Sequence, residues 1–402
     1  MKVIPEKKST EKKCELCGSD CNVLADLGNQ PLANKYPANK DAFKKEKFWH
    51  LKALICSNCF CGQLNEMIDR SEMFEDYYYL SSVNAELNKH FDDFAKDLLD
   101  FNFVLDVGSN DGILLRPLKN NNVKCLGIDP SINVGEIANN EGLETIVDFF
   151  NMDSAKYIKD NYGKPDAIVA SSIFTHLEKP KDFIESLEYL ISNNGEIFIE
   201  IEYLLNLVKK CQFERFYFDR PFYYSVTSMK NIFEENNLVL TNVKEISPHG
   251  GSLRLSFMKR DHNLKIDDSV KNFLELERNF FKSSNVNDFQ KEIEKNAKDL
   301  VDLLNKDNLT IAGYGAPARL ATITNFANID INKIKYVVDD SPLKAGRYSP
   351  GMHIPIVNKD YLLKEKPDLL VVFAYEYIES IFEYTKQLGI PHYQPIPPKQ
   401  IK

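Results

Sequence analysis

Residues 104–112 read VLDVGSNDG, and no other stretch of the 402-residue chain limits the fold as tightly. Apolar residues lead into an acid and a glycine, a polar turn follows, and a second glycine opens a run with Ile113, Leu114, Leu115 and Leu118. This is the signature of a buried strand, a tight loop and a helix, the repeating unit of a parallel α/β sheet. The loop lacks the G-x-G-x-x-G of a dinucleotide site, and no Gly-Lys-Ser/Thr follows to make a triphosphate loop. What stands there instead is Gly108, Asn110, Asp111 and Gly112, with Asp106 just upstream. Carboxylates in that position repel phosphate and suit a ligand carrying a cationic sulfonium and an α-amino group. About twenty residues further on, VKCLGIDPS reads as a second strand ending in Asp129, where a carboxylate accepts hydrogen bonds from ribose hydroxyls. The pair of signals points to S-adenosylmethionine as cofactor and to methyl transfer.

The same rhythm continues. DAIVASSIFTHLEKPKDFIESLEYLISNNGEIFIEIEY reads as strand, loop, amphipathic helix, turn and strand, and places His176 in a loop just past a strand end. In open α/β sheets that edge carries the ligand; a helix-capping or backbone-bonded histidine is the competing reading. From about Asp267 to Leu304 the chain is polar and helical, with Val270, Phe273, Leu274 and Leu276 at helical spacing, a connector and scaffold. Then LTIAGYGAPARLATI repeats the strand–glycine loop–helix pattern with Gly313 and Gly315, and IKYVVDDSP and LLVVFA supply further strands. Pro317 fits the first turn of a helix but breaks any dinucleotide fingerprint. This second Rossmann-like lobe either holds an anion such as a diphosphate at its helix start or serves only in packing and dimerisation.

Upstream of both lobes, six of the eight cysteines lie between Cys14 and Cys61. Cys14-x2-Cys17 and Cys56-x2-Cys59 form two turns able to complete a tetrahedral S4 shell for structural zinc, with Cys21 and Cys61 as spare thiols. A closed S4 site has no position open to substrate, so it reads as a staple. Ordinary buried or free cysteines are the alternative.

Composition narrows the partners. Net charge is −9 with Lys and Arg scattered, so no basic stripe collects a phosphodiester backbone, and nucleic acid is not an expected partner. The N-terminal MKVIPEKKSTEKKC has no apolar core, and no stretch approaches the roughly 18 apolar residues of a membrane span. A cytoplasmic protein without membrane partners is expected, as monomer or homodimer.

Two segments remain outside the pattern. QFERFYFDRPFYYS (212–225) crowds Tyr, Phe, Asp and Arg, and PHGGSLRLSF (248–257) sets His249, Gly250 and Gly251 before a strand. With them, the order of the two cysteine pairs, DYYYLSS, DVGSNDG, HGGSLR, GYGAPAR and KAGRYSPGMHIPI resembles the nucleotide-sugar C-methyltransferases of deoxysugar biosynthesis. The resemblance implies an α/β protein in three parts: a zinc-binding domain (1–85), a class I, Rossmann-like methyltransferase domain (86–258), and a linker helix with a second Rossmann-like domain for substrate (259–402). It implies methyl transfer to C3 of a nucleotide-linked keto sugar, after loss of a proton beside the 4-keto group. Carried over, Cys14, Cys17, Cys56 and Cys59 are zinc ligands, and Asp106, Gly108, Asn110, Asp111, Gly112 and Asp129 form the donor site. Tyr77, Tyr79, Gly250, Gly251, Gly315 and Lys344 fall to the substrate. His176, Tyr217, Asp219, Arg220 and His249 are the candidate catalytic set.

Two departures stand out. The family reads approximately Tyr-His-Glu-His where this chain has Tyr217-Phe218-Asp219-Arg220, and an arginine stays protonated and cannot act as base. Glu202 stands where the family usually has proline. Three outcomes follow for Arg220: another residue removes the proton, the acceptor is an oxygen or nitrogen on a related nucleotide sugar, or the protein binds a sugar nucleotide without methylating it.

Overall fold

The computed structural model describes residues 12–69, 85–248, 251–261, 263–283, 285–305 and 309–401. The N-terminal sheet is antiparallel, built from β1 (Lys12–Lys13), β2 (Asp20–Pro31), β3 (Phe48–Cys56) and β4 (Gly62–Leu64) in sequence order. Its long β2–β3 hairpin sets Cys21 opposite Cys56 and bends at two bulges. A bulge breaks the strict alternation of faces, so the hairpin curls around its own core of Leu24, Leu27, Leu51 and Leu54. The last strand of this sheet comes from far along the chain, since Phe222–Tyr223 pairs with β4.

The central sheet contains β5 (Phe103–Val107), β6 (Lys124–Ile128), β7 (Thr145–Ile146), β8 (Ala167–Ser171) and β9 (Glu196–Glu202), all parallel. After the short Phe222–Tyr223 strand, β10, come β11 (Leu238–Ile246) and β12 (Ser252–Lys259). The strand order is β7-β6-β5-β8-β9-β12-β11, with β12 antiparallel to both neighbours. The first strand, β5, lies in the middle, and the chain winds outward from it in both directions. That reversal opens a crevice at the carboxyl ends of β5 and its neighbours. The strands read as continuous apolar runs because helices cover both faces.

The third sheet repeats the plan. It holds β13 (Ile311–Tyr314), β14 (Val337–Val338), β15 (Ile356–Val357), β16 (Leu369–Val372), β17 (His392–Gln394) and β18 (Lys399–Ile401), in the order β15-β14-β13-β16-β17-β18. Only β18 runs antiparallel, and β13 again sits at the reversal.

The polar connector forms two helices, Asp268–Phe281 and Asn285–Leu304. Their apolar stripes face inward and tie the parts together: Phe281 stacks on Phe60 of the first sheet, and Tyr203 and Phe216 meet Phe273 and Phe289. Glu277, fully buried, accepts from the amides of Val226 and Thr227 and so caps the helix Val226–Glu234 from outside. One apolar cluster runs through all three sheets, from Leu24 through Ile199 and Phe216 to Ile356. Among the described residues, no helix is long and apolar enough to cross a membrane.

Candidate active site and metal centre

The two cysteine pairs converge. The Sγ atoms of Cys14, Cys17, Cys56 and Cys59 all lie within 4.8 Å of one another, with Cys14–Cys59 at 3.7 Å and Cys17–Cys56 at 3.4 Å. A ZnS4 tetrahedron with Zn–S of about 2.3 Å has edges of about 3.8 Å, so the thiols fit that ion. Each knuckle turns through a left-handed residue after its second cysteine, Gly18 (φ 73°) and Phe60 (φ 58°). The amides of Asn58 and Cys59 point at Cys56 Sγ, both at 3.4 Å, as donors to a thiolate. The two spare thiols differ in their surroundings. Cys61 donates to the Gly62 carbonyl at 3.2 Å, and burial pushes its pKa well up. Cys21 lies against Cys14 and Cys56, and hydrogen bonding to these two also raises its pKa. Four ligands leave no open position, so the chemistry lies elsewhere.

At the mouth of the central sheet the sequence-derived donor residues come together. Asp106 is the penultimate residue of β5, and the loop that follows turns through Gly108 (φ 77°), Asn110 (φ 49°) and Gly112 (φ 81°), closed by Gly112 N donating to Ser109 O. Asp129, just past β6, accepts from Asn110 N at 3.0 Å and from Ser131 N at 2.9 Å. Each carboxylate oxygen keeps a further lone pair for a hydroxyl. Burial pushes the Asp106 carboxyl up to about 8, helped by the charges of Asp129 and Glu200. Asp111 is buried as well. Buried carboxylates gathered in this way are stabilised by a nearby cation.

Below this mouth lies a network that no local motif announces. Buried Glu200 on β9 accepts from His90 Nε2 (3.0 Å), Ser171 Oγ (2.9 Å) and Arg254 Nε (2.8 Å). Burial raises the Glu200 pKa, but His90 and Arg254 outweigh it and the net shift is downward. Arg254, from the HGGSLR stretch, also reaches Asp97 at 3.0 Å and covers the Phe94 ring. It thereby clamps the helix Ala85–Asp97 to the sheet.

The second glycine loop is built alike. Gly315 (φ 85°) follows β13, and Asp339, just past β14, accepts from Ala316 N at 2.7 Å and Ser341 N at 2.9 Å. Lys344 Nζ reaches the carbonyl of Ala316, the residue after Gly315, at 2.9 Å. Tyr36 of the first module donates its hydroxyl to the same carbonyl at 2.7 Å.

Between the two loops sits the turn 217–220. His176 ends a short helical turn after β8, and its Nδ1 lies 2.8 Å from the Asp219 carbonyl oxygen. A carbonyl only accepts, so Nδ1 carries a proton. Asp219 is buried, which raises its pKa; the amide of Asn34, with Nδ2 at 2.5 Å, and the charge of Arg220 pull in the other direction. Arg220 lies over the Tyr217 ring and pairs with Glu202 at 2.6 Å. Burial lifts the Tyr217 hydroxyl to about 12. The two residues that depart from the family pattern thus neutralise each other. Glu202 also pairs with Arg215 at 2.9 Å, Arg215 reaches Glu376, and Arg319 holds Glu376 at 2.6 Å, a buried alternating chain between the second and third sheets.

His176, Tyr217, Asp219 and Arg220 are therefore gathered in one cleft. Gly251 (φ 121°) lies at the start of β12, one residue from Ser252, the ladder partner of Glu202. Tyr77, Tyr79, His249 and Gly250 lie outside the described residues. Asn34, Tyr36, Glu202, Arg215 and Arg319 were not singled out as site residues by the sequence. Asn34, Tyr36 and Arg215 find partners in other modules, while Glu202 and Arg319 pair with residues distant in sequence within their own, and only the clustering of charged and aromatic residues at 212–225 hints at a buried polar site.

Comparison with known proteins gives three family matches in succession: a zinc binding domain over residues 14–74, a methyltransferase domain over 79–243, and a C-methyltransferase C-terminal domain over 247–392. C-methyltransferase NovU of Streptomyces niveus is 25% identical over 387 residues, covering 93% of this chain and 92% of that protein. Among solved structures, magnesium protoporphyrin IX methyltransferase from Synechocystis PCC 6803 with bound SAM matches at 16% identity and a TM-score of 0.34, covering 43% of this chain and 79% of its own. PH0226 protein from Pyrococcus horikoshii OT3 matches at 11% identity and 0.36, covering 47% and 99%. Both structural likenesses are confined to less than half of this chain.

Proposed function

We propose that this chain, an S-adenosylmethionine-dependent methyltransferase carrying the modules of the C-methyltransferases, methylates a carbon beside the keto group of a nucleotide-linked sugar. The observation that carries the reading is the hydrogen bond from His176 Nδ1 to the Asp219 carbonyl, next to the permanent cation of Arg220. We assign the role of base to Nε2, the ring nitrogen that this bond does not use and that in the neutral ring can take a carbon-bound proton. Arg220 cannot take that proton, but its guanidinium can hold the enolate oxygen that develops as the proton leaves. Bound S-adenosylmethionine supplies an electrophilic methyl on a cationic sulfur. The carbon that loses its proton would take the methyl such a bound donor supplies, and His176 Nε2 would hold the proton until water removes it. Asp106, Asp111 and Asp129 hold the donor's positive end and ribose, and Gly108 and Gly112 let the backbone come close.

The nucleotide half of the substrate is supported by the second loop. Lys344 and Arg319 stand around Gly315–Pro317 at the start of the helix Ala318–Phe326. Arg319, buried, has an Nη1 with no hydrogen-bond partner, a donor that a phosphate oxygen would satisfy.

Incubation with methyl-labelled donor and a panel of keto and reduced nucleotide sugars tests this. Label on carbon is expected, with keto substrates only, and His176→Gln is expected to lower kcat by roughly 10²–10⁴. Label on oxygen or nitrogen, or binding without turnover, overturns it. Arg220→His restores a titratable group at the family position, and a new or faster activity there shows that the two residues share one cleft position.

A further inference from the structure

The loop after β2 belongs to the zinc-stapled module yet enters the cleft. Leu32 and Ala33 are buried, Lys35 N closes a turn on Leu32 O, and Tyr36 is fixed to the third module through the Ala316 carbonyl and through Arg347 Nη1 on its own carbonyl. Between these anchors stands Asn34, an exposed residue whose side chain is nevertheless committed: its Nδ2 lies 2.5 Å from Asp219 Oδ2. Asp219 is only 7% exposed and sits in a turn closed by Arg220 N donating to Tyr217 O. The backbone carbonyl of that same residue receives the His176 Nδ1 proton. Asn34 and His176 thus grip Asp219 from opposite modules, one by its carboxylate and one by its carbonyl.

We infer that Asn34 is a positioning residue for proton removal: by holding the Asp219 carboxylate it fixes the carbonyl that sets the tautomer and aim of His176. The inference rests on the carbon-methylation reading above. A buried carboxylate that loses its donor must find another or rotate toward solvent, and either response turns the 217–220 segment. The carbonyl then leaves the imidazole, and the contact that fixes the Nδ1 proton is lost. The zinc module acquires a part in catalysis by this route, since the staple keeps Asn34 within reach of the turn.

The test uses full-length, zinc-loaded protein. Asn34→Ala, Asn34→Asp and Asn34→Gln are compared with wild type for methyl-transfer kcat and KM. They are also compared for deuterium wash-in from D2O into a keto-sugar nucleotide in the presence of S-adenosylhomocysteine, which reports proton removal without methylation. Zinc content and melting temperature are measured alongside. Expected for Asn34→Ala is a parallel fall in wash-in and kcat of roughly 10- to 100-fold, with KM within about twofold and zinc content unchanged. Asn34→Asp keeps the shape but turns the donor into an anion and falls at least as far; Asn34→Gln keeps a donor and recovers part of the loss. Asn34→Asp close to wild type, or wash-in undiminished in Asn34→Ala, overturns the role. Should Asn34→Ala fail to fold, the contrast between the Asp and Gln variants still decides. Wild-type protein that methylates without any wash-in overturns the carbon reading and this role with it; wild-type wash-in with indifferent Asn34 variants overturns the role alone.

Discussion

The loops after β5 and β13 share one skeleton and differ in charge. In each, a left-handed glycine leaves the first strand of a parallel sheet, and an aspartate past the neighbouring strand accepts one amide from the glycine loop and one from two residues further along its own chain. Asp129 takes Asn110 N and Ser131 N; Asp339 takes Ala316 N and Ser341 N. The sequence carries the likeness as GIDPS and VVDDS. Around the first loop stand Asp106 and Asp111, with Glu200 beyond them paired to Arg254 and His90, and around the second Lys344 and Arg319, paired to Asp339 and Glu376. The backbone device is a property of the strand–loop–helix fold, and the sign of the ligand is chosen by side chains placed around it. On the function proposed above, the first loop takes a cation and the second an anion.

The largest effect comes from the metal. Structural zinc sites bind with apparent free energies on the order of 10 kcal/mol, so chelation is expected to lower the melting midpoint by well over about 10 °C. The loops should suffer unequally, because the zinc module touches the second directly through Tyr36 on Ala316 O. Calorimetry on partly demetallated protein should show nucleoside diphosphate affinity falling further than that for S-adenosylhomocysteine. Equal losses would break the distinction.

Glycine replacement comes next. A Cβ at Gly315 would lie 2.4 Å from the Ala374 Cβ and 2.9 Å from its backbone nitrogen, whereas the nearest neighbours of one at Gly108 would be Ile173 side-chain atoms, beginning with Cγ2 at 2.5 Å. Backbone has nowhere to go and an isoleucine can turn, so Gly315→Ala should cost about 3 kcal/mol or more and Gly108→Ala about 1–2 kcal/mol, read from urea midpoints.

Smaller and more selective effects follow from the aspartates. Asp129→Ala should weaken S-adenosylhomocysteine binding about 10- to 100-fold and leave nucleoside diphosphate binding alone, with Asp339→Ala doing the reverse. Titration calorimetry of both variants with both ligands gives the four numbers needed.

The smallest effect is a pH dependence confined to the first loop. Burial holds Asp106 up to about 8, above its ordinary 3.8, so the folded state retains that proton longer than the unfolded chain. Its contribution to stability is full below about pH 4 and is lost as pH rises toward 8. A cationic donor favours the ionised form, so affinity for S-adenosylmethionine should increase over the upper part of that window. Asp106→Asn should flatten both trends, whereas two residues before Gly315 stands Gly313, with nothing to titrate.

The modules and their chemistry were legible in the chain because each rests on local pattern. VLDVGSNDG followed by IDPS specifies a strand, a loop and an acid, and two Cys-x2-Cys turns specify a tetrahedral thiolate site; both are set by residues close in sequence, and backbone geometry follows from them. The cleft was not legible in this way. Glu202 and Arg220 read as two separate oddities, and folding joins them at 2.6 Å through a turn whose strand is lent to another module's sheet. Asn34 looked like an ordinary loop residue, because what gives it a task is an aspartate in a different module. Hydrophobic period and turn chemistry act over a few residues and fix elements. Which buried charges face each other depends on how three sheets dock around one core, and no short stretch of sequence contains that information.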